Sequence, residues 1–161
     1  MIEDWMLLTF DIPTTDAGNR SRADFYEEAR RVGAIMHTES VYLLPWSHRA
    51  NTLVMALFKI KDGRVIAWHT KPSTPEMALD LTQTYDTAVR DRLHDIDARI
   101  PKIVEHIRAG HAGISGHMIE RTFTMLGDIA GIIQRRGSKA LAVDFNATRQ
   151  GFEKAVIEAA A

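Results

Sequence analysis

The sequence predicts an α+β protein, in which a split βαβ unit (residues 1–72) is followed by an all-α helical extension (residues 73–161). Short apolar runs alternate with one helical pattern in the first part, whereas apolar residues recur at helical spacing through the second. The composition is that of an ordinary globular protein, with 45% hydrophobic and 25% charged residues. We expect two domains with these bounds, the extension packing on the first domain and on a partner subunit.

The first strand is indicated by the run Trp5–Phe10, which is continuously apolar, as expected of a central strand. Pro13 cannot donate a backbone hydrogen bond to a sheet, so this strand should end by Asp11 or Ile12.

A helix is predicted from about Asn19 to Val32, after a polar turn, because apolar residues recur there at helical spacing. Gly33 stands where a left-handed C-terminal cap belongs. A second extended run, Ala34–Leu44, follows, and we expect it to be bent or interrupted near His37–Glu39.

The sequence does not decide whether residues 48–60 form a helix or a strand. Ser47 is a suitable N-cap, and the apolar residues after it follow the i, i+3, i+4, i+7 spacing of a helix. The run Leu53–Phe58 also suits a strand, although the spacing favours the helix. Arg64–Thr70 then reads as the last strand. Residues 1–72 thus predict a ferredoxin-like βαβ(β/α)β unit.

The extension begins with a helix that has Ser73 and Glu76 at capping-box spacing and Pro75 in its first turn. An apolar stripe then runs from Met77 to Ile100. Pro101 should kink or restart this helix, because its ring clashes with the preceding turn.

Two further helices are expected after a break at Gly110 and Gly113. Ser115 can cap the first of them, which Gly137 ends. The basic pair Arg135-Arg136 stands at its C-terminus, where it complements the helix dipole. The last helix is predicted from about Asn146 to Ala160.

The length of the first extension helix predicts a homodimer. From Glu76 through Ile100 it spans about 37 Å at ~1.5 Å per residue, whereas a short strand is only roughly 17–20 Å long. The apolar stripe continues through the overhang at Leu93, Ile96 and Ile100. We expect both the following helix and a second subunit to cover it.

Composition excludes several classes of function. The net charge of -1 gives no broad electrostatic footprint for nucleic acid or an anionic membrane. The absence of cysteine excludes disulfides, thiol nucleophiles and cysteine-ligated zinc. No apolar run approaches the ~20 residues needed to span a bilayer. We therefore expect a soluble, cytoplasmic protein with no membrane partner.

A set of residues in the first 70 positions resembles the N-terminal region of ChrB-type chromate-resistance regulators. The matching pattern is Trp5-x-Leu7-Leu8, Pro13, Arg20-x-Arg22, Tyr26, Gly33-Ala34 and Val41-Tyr42-Leu43-Leu44-Pro45. More distantly, Phe10-Asp11-Ile12-Pro13 followed by Ser40-Val41 is similar to the C-terminal domain of PaaX-type repressors. It is also similar to the small ferredoxin-fold CRISPR-associated adaptation protein.

The ChrB resemblance implies a regulatory module that works in transcriptional or stress regulation and associates with DNA or an oxyanion. ChrB-type regulators carry a further chromate-resistance domain, so we expect a free-standing N-terminal module or a subunit that works with a separate regulatory protein.

Four arginines of the first helix are candidates for binding nucleic acid or an oxyanion: Arg20, Arg22, Arg30 and Arg31. Guanidinium groups suit phosphate and other tetrahedral oxyanions because they donate two parallel hydrogen bonds. The alternative is a charged helix face, in which these arginines pair with Asp24, Glu27 and Glu28.

Asp11 is the candidate catalytic residue under an enzymatic alternative. The CRISPR-associated relatives place a metal-binding aspartate at the end of the first strand, and some of them are metal-dependent nucleases. Two such carboxylates across a dimer could share a divalent ion that activates water for phosphodiester hydrolysis. The preferred interpretation is that Asp11 hydrogen-bonds the turn that follows it.

Three histidines and a glutamate around the glycine break are candidate metal ligands: His106, His111, His117 and Glu120. A site would need at least three of them on one ion. Their spacing matches no standard metal signature, so solvated or helix-end histidines are the preferred interpretation.

Three functions therefore remain open, and a non-catalytic regulatory module is preferred because no catalytic triad or phosphate loop is recognisable. A divalent-metal nuclease built on Asp11 is the first alternative, and a protein-interaction module is the second. No cofactor is expected except the divalent metal of the nuclease.

Overall fold

A computed structural model describes residues 1–55 and 63–161. The protein is α+β, with a four-stranded antiparallel sheet and several helices. It divides into two compact units, residues 1–85 and 86–161. The sequence placed the boundary between residues 72 and 73, before the helix that begins at Pro75. The division between residues 85 and 86 lies inside that helix.

The first unit contains the whole sheet. Its elements are β1 (Trp5–Asp11), α1 (Asp16–Val32), β2 (Ile35–Thr38), β3 (Val41–Pro45), α2 (His48–Val54) and β4 (Arg64–Thr70). The strand order is β2-β3-β1-β4, and every neighbouring pair is antiparallel. The second extended run is interrupted as expected, because residues 39 and 40 form the turn between β2 and β3.

The core of the first unit lies between the sheet and α1. Side chains alternate along a strand, and Phe10 of β1 packs against Phe25 of α1 with ring centroids 4.4 Å apart. Leu8 and Met6 therefore share this face, and both are buried. Leu44, opposite Met6 on β3, is buried as well.

Helix α1 begins three residues earlier than the sequence predicted. Thr15 is its N-cap, with its hydroxyl accepting a hydrogen bond from the Gly18 amide at 3.0 Å. The prediction of a polar turn as far as Asn19 is wrong, because with Thr15 as the cap the helix already begins at Asp16. The predicted C-terminal cap is confirmed, since Gly33 has φ 91° in the left-handed region.

The helical interpretation of residues 48–60 is confirmed as far as Val54. The Ser47 hydroxyl accepts a hydrogen bond from the Ala50 amide at 3.0 Å, as an N-cap does. The rest of that segment, from residue 56, lies outside the described residues. The last strand has the predicted bounds.

The helices after the sheet are α3 (Pro75–Asp97), α4 (Ile100–Arg108), α5 (Ala112–Arg136) and α6 (Lys139–Ala160). Pro101 lies in the first turn of α4, which confirms the predicted restart. Thr74 caps α3 in place of Ser73, because its hydroxyl accepts from the Met77 amide. Gly137 ends α5 with φ 66°, as predicted.

Two predicted helix starts in this region are wrong. Ser115 lies inside α5, where its hydroxyl donates to the carbonyls of His111 and Ala112 instead of capping the helix. Helix α6 begins well before Asn146, since the Ser138 hydroxyl accepts from the Leu141 amide.

Leu93 and Ile96 of α3 are buried within the single chain. They therefore need no second subunit to cover them. Among the described residues, no helix has the length and hydropathy needed to cross a membrane.

Candidate functional site

The candidate site in the first unit is an open cleft at the end of β1. Its volume is about 510 Å³. The residues that line this β1-end cleft are Phe10, Asp11, Ile12, Arg22, Tyr26, Met36, Glu39 and Ser40. They come from β1, α1 and the β2–β3 hairpin, so the cleft depends on the sheet and the first helix together.

Arg22 is held in the cleft by the loop that joins β1 to α1. Its Nη2 donates to the Ile12 carbonyl and, at 3.1 Å, to the Thr14 hydroxyl. A guanidinium carries five N–H donors, and these two bonds come from one of its three nitrogens. The side chain is thus oriented by the protein and keeps donors for a ligand.

Two carboxylates share the cleft with this guanidinium. Asp11 is the exposed last residue of β1, and Glu39 is an exposed residue of the β2–β3 turn. The Phe10 amide donates to the Ser40 carbonyl at 3.3 Å, which ties this turn to the end of β1. Glu39 was missed as a functional residue, and the only signal for it was the bend expected in the second extended run.

Aromatic rings form one wall of the cleft. Tyr26 is 43% exposed, and its ring centroid lies 5.9 Å from that of Phe10 in an edge-to-face arrangement. Tyr42 lies beneath them, 6.2 Å from Tyr26. Burial, together with the neighbouring Tyr26, raises the pKa of the Tyr42 phenol above its usual value of 10.0. The rings of Tyr26 and Phe10 line the cleft and offer a stacking surface.

The four candidate arginines of α1 do not act as one group. Arg22 alone lines the cleft with Asp11. Arg31 forms an ion pair with Glu28, its neighbour on the same helix, as the alternative interpretation expected. Arg20 and Arg30 are exposed but do not line the cleft.

The candidate metal ligands lie in the second unit, around the α4–α5 turn. Nδ1 of His106 lies 3.2 Å from Nδ1 of His111, so one ring donates a hydrogen bond to the other. His106 and His117 both line a cavity of about 290 Å³ between α4 and α5, whereas His111 and Glu120 do not. In residues 1–55 and 63–161, no group of three or more His, Asp or Glu side chains is arranged to hold a metal ion.

Neither the comparison with protein-family models nor that with curated proteins gives a match for this chain.

Proposed function

We propose that the first unit is a ferredoxin-like regulatory module of the ChrB N-terminal type, which acts in transcriptional or stress regulation. Two observations support the ferredoxin-like assignment: the element order β1-α1-β2-β3-α2-β4, and the sheet order β2-β3-β1-β4. A split βαβ unit of this kind interleaves its strands, so that strands distant in sequence become neighbours.

The observation that carries the proposal is the oriented guanidinium of Arg22 beside the aromatic wall of Tyr26 and Phe10. Guanidinium groups bind phosphate, and aromatic rings stack on nucleic-acid bases. Asp11 and Glu39 can accept hydrogen bonds from the amino groups of bases. The cleft therefore suits a nucleic-acid strand with a base that can reach the rings.

A free oxyanion such as chromate suits the β1-end cleft less well. The side chains that line it carry one formal positive charge, on Arg22, and two formal negative charges, on Asp11 and Glu39. A small dianion placed near Arg22 would be repelled by both carboxylates. The same repulsion acts on a DNA phosphate, but a DNA strand can also stack a base on Tyr26 and Phe10, which a free oxyanion cannot do. Of the two ligands implied by the resemblance, the cleft therefore favours DNA.

Fluorescence anisotropy with labelled single-stranded and double-stranded DNA at low salt tests this function, since the electrostatic contribution to binding is then largest. We expect Tyr26→Ala and Arg22→Gln each to weaken binding by about tenfold, as loss of one stacked base or one phosphate contact does. Arg149→Gln, at an exposed position of α6, is the control and should leave the affinity unchanged. Absence of DNA binding at low salt would refute the proposal, as would equal losses in all three variants.

A divalent-metal nuclease remains the second candidate, and one observation favours it: Asp11 and Glu39 lie in the same cleft as Arg22. Two carboxylates can hold a divalent ion that retains water, and a guanidinium can bind the scissile phosphate. Cleavage of DNA with Mg²⁺ or Mn²⁺ that disappears in both Asp11→Asn and Glu39→Gln would establish this function. The control is Glu3→Gln, an exposed carboxylate outside the cleft. Cleavage that survives both substitutions would exclude it.

A homodimer is also part of the proposal. The observation that supports it is an exposed residue of the sheet and not the helix overhang inferred from the sequence. Trp68 of β4 lies opposite Leu7 in the register of β1 and β4, on the sheet face opposite α1. It is 55% exposed, and an exposed tryptophan is typical of an interface. Light scattering should give twice the mass of one chain, and Trp68→Lys should give a folded monomer. A monomeric wild-type protein would refute the dimer.

A protein-interaction module without a nucleic-acid ligand is the third possibility. Retention of a specific protein partner after a high-salt wash, together with no DNA binding, would favour it over the first two.

A further inference from the structure

The cavity between α4 and α5 has a lining that none of the functions above uses. The residues that form this α4–α5 cavity are Arg99, Lys102, Ile103, His106, Ile114, His117, Met118, Arg121 and Thr122. All of them belong to the second unit. Of the four candidate metal ligands considered in the sequence, only His106 and His117 line this cavity.

The lining follows from the helical repeat. Residues 99, 102, 103 and 106 are spaced i, i+3, i+4, i+7 along one face of α4 and its N-cap. Residues 114, 117, 118, 121 and 122 repeat the same spacing along α5. Residues at these intervals share one face of a helix. The cavity is therefore formed by two continuous helix faces joined by the short turn at residues 109–111.

The charges on these two faces have one sign. Arg99, Lys102 and Arg121 line the cavity, and its described lining contains no Asp or Glu. The whole chain holds 20 basic and 21 acidic residues, so three cations without an acid depart from its average surface. None of the ion pairs in the described part of the chain includes any of the three.

The floor of the cavity is apolar. Of the lining side chains, Ile103 is buried and Met118 is half-buried, whereas Lys102 and Arg121 are exposed. Thr122 is also buried, but its hydroxyl already donates to the Met118 carbonyl at 2.8 Å. A ligand that fills the cavity would therefore place an apolar part on the floor and its charge near the rim.

The size of the cavity suits a small molecule. Its volume of about 290 Å³ equals roughly ten water molecules at ~30 Å³ each. Three cations around one cavity favour a multiply charged anion over a monoanion, since each adds a Coulomb attraction.

We propose that the α4–α5 cavity binds a small organic anion with two or more negative charges on oxygen, either a phosphate monoester or a dicarboxylate. Arg99, Lys102 and Arg121 bind its oxygens, with the ring N–H groups of the lining histidines as further donors. Ile103 and Met118 contact its apolar part. This site is independent of the β1-end cleft and of the function proposed for it.

Isothermal titration calorimetry at fixed ionic strength tests the proposal with a charge series on one apolar scaffold. Phenyl phosphate and phthalate are the dianionic probes, benzoate is the monoanion and benzyl alcohol is neutral. We expect at least one dianion to bind about tenfold more tightly than benzoate, and benzyl alcohol not to bind. The better of the two dianions identifies the phosphate or the carboxylate class. No heat from either dianion up to ~10 mM, a limit of roughly 3 kcal/mol of binding free energy, would overturn the proposal.

Variants locate the site on the two helices. Arg121→Gln on α5 and Lys102→Gln on α4 should each weaken binding of the dianion by about tenfold, as loss of one charge-assisted contact does. Arg108→Gln is the matched control, because it removes the same charge from α4 outside the cavity. In the wild-type protein, amide chemical shifts should change chiefly at residues 99–122. Equal weakening by all three variants, or shift changes centred elsewhere, would overturn the proposal.

Discussion

Arg136 and Asp86 form a bidentate ion pair within the second unit, although 50 positions separate them in sequence. Arg136 Nε lies 3.0 Å from Asp86 Oδ1, and its Nη2 lies 3.2 Å from Oδ2. The two side chains are only 14% and 16% exposed. The pair joins the C-terminal turn of α5 to the middle of α3, so it links two helices of the bundle.

We expect Asp86→Ala to lower the free energy of unfolding by about 2–3 kcal/mol, because the change leaves a mostly buried guanidinium without its partner. Urea denaturation monitored by circular dichroism measures the loss. The double variant Asp86→Ala with Arg136→Met should recover part of it. The control is Glu153→Ala, which breaks the exposed pair with Arg149 and should cost less than ~0.5 kcal/mol. Equal losses at the two sites would contradict this assignment.

The hydroxyl of Tyr85 donates to the carbonyl of Gly33 at 2.9 Å, at the end of α1. Both residues are buried, so Tyr85→Phe would leave this carbonyl without its buried donor. We expect a loss of about 1–2 kcal/mol in the free energy of unfolding. The phenyl ring can keep the edge contact with Trp5, and the near-ultraviolet spectrum of the tryptophans should therefore change little. An unchanged denaturation midpoint would show that the hydrogen bond contributes no net stability.

Gly18 lies where no side chain fits. A Cβ at this position would stand 1.9 Å from the Pro13 carbonyl oxygen, so Gly18→Ala must displace the loop that holds Arg22. We expect a loss of more than about 2 kcal/mol in stability and weaker DNA binding at the β1-end cleft. Gly127→Ala in α5 is the matched control, since no atom beyond its own helical turn and chain neighbours lies within 4 Å of the added Cβ. It should stabilise the protein by about 0.5–1 kcal/mol. Calorimetric melting of the two variants separates these outcomes, and a stable Gly18→Ala variant would contradict the packing.

Asp4 makes the stability of the first unit depend on acid pH. Its carboxylate accepts from His69 Nε2 at 2.8 Å and lies 3.4 Å from Lys71 Nζ. The hydrogen bond from His69, aided by Lys71 and only partly offset by desolvation, lowers the pKa of Asp4 below its usual 3.8. Because this pKa is lower in the folded state, the ionised carboxylate stabilises the fold at pH values above the pKa of the unfolded chain. This stabilisation is lost as the pH falls through the pKa of the folded state.

The test is the urea midpoint between pH 7 and pH 3. We expect the wild-type midpoint to fall more steeply than that of Asp4→Asn below pH 4, because only the wild type loses a carboxylate that the folded state favours. Parallel curves for the two proteins would contradict the role of Asp4.

Local chemistry was enough to predict several elements from the sequence. Arg64–Thr70 has the predicted bounds, and Gly33 and Gly137 end their helices as left-handed caps. Pro101 restarts a helix as expected. These features depend on hydrophobic period and on the sterics of one residue, so they can be read without knowing what packs against them. Within the candidate site, Asp11 was singled out by the resemblance to the CRISPR-associated relatives and by its position at the end of the first strand, and Arg22 by the chemistry of its guanidinium.

The helix starts and the side-chain partnerships required the tertiary structure. Several residues near a helix start can serve as caps. In the folded protein, Thr15 and Ser138 are the N-caps. Glu39 joins Asp11 only because the β2–β3 hairpin lies beside β1. The cationic face of α4 meets that of α5 only because the turn between them folds the helices together. Sequence spacing determines which residues share one face of an element, whereas packing of apolar faces determines which elements become neighbours, and that second choice places distant charges together.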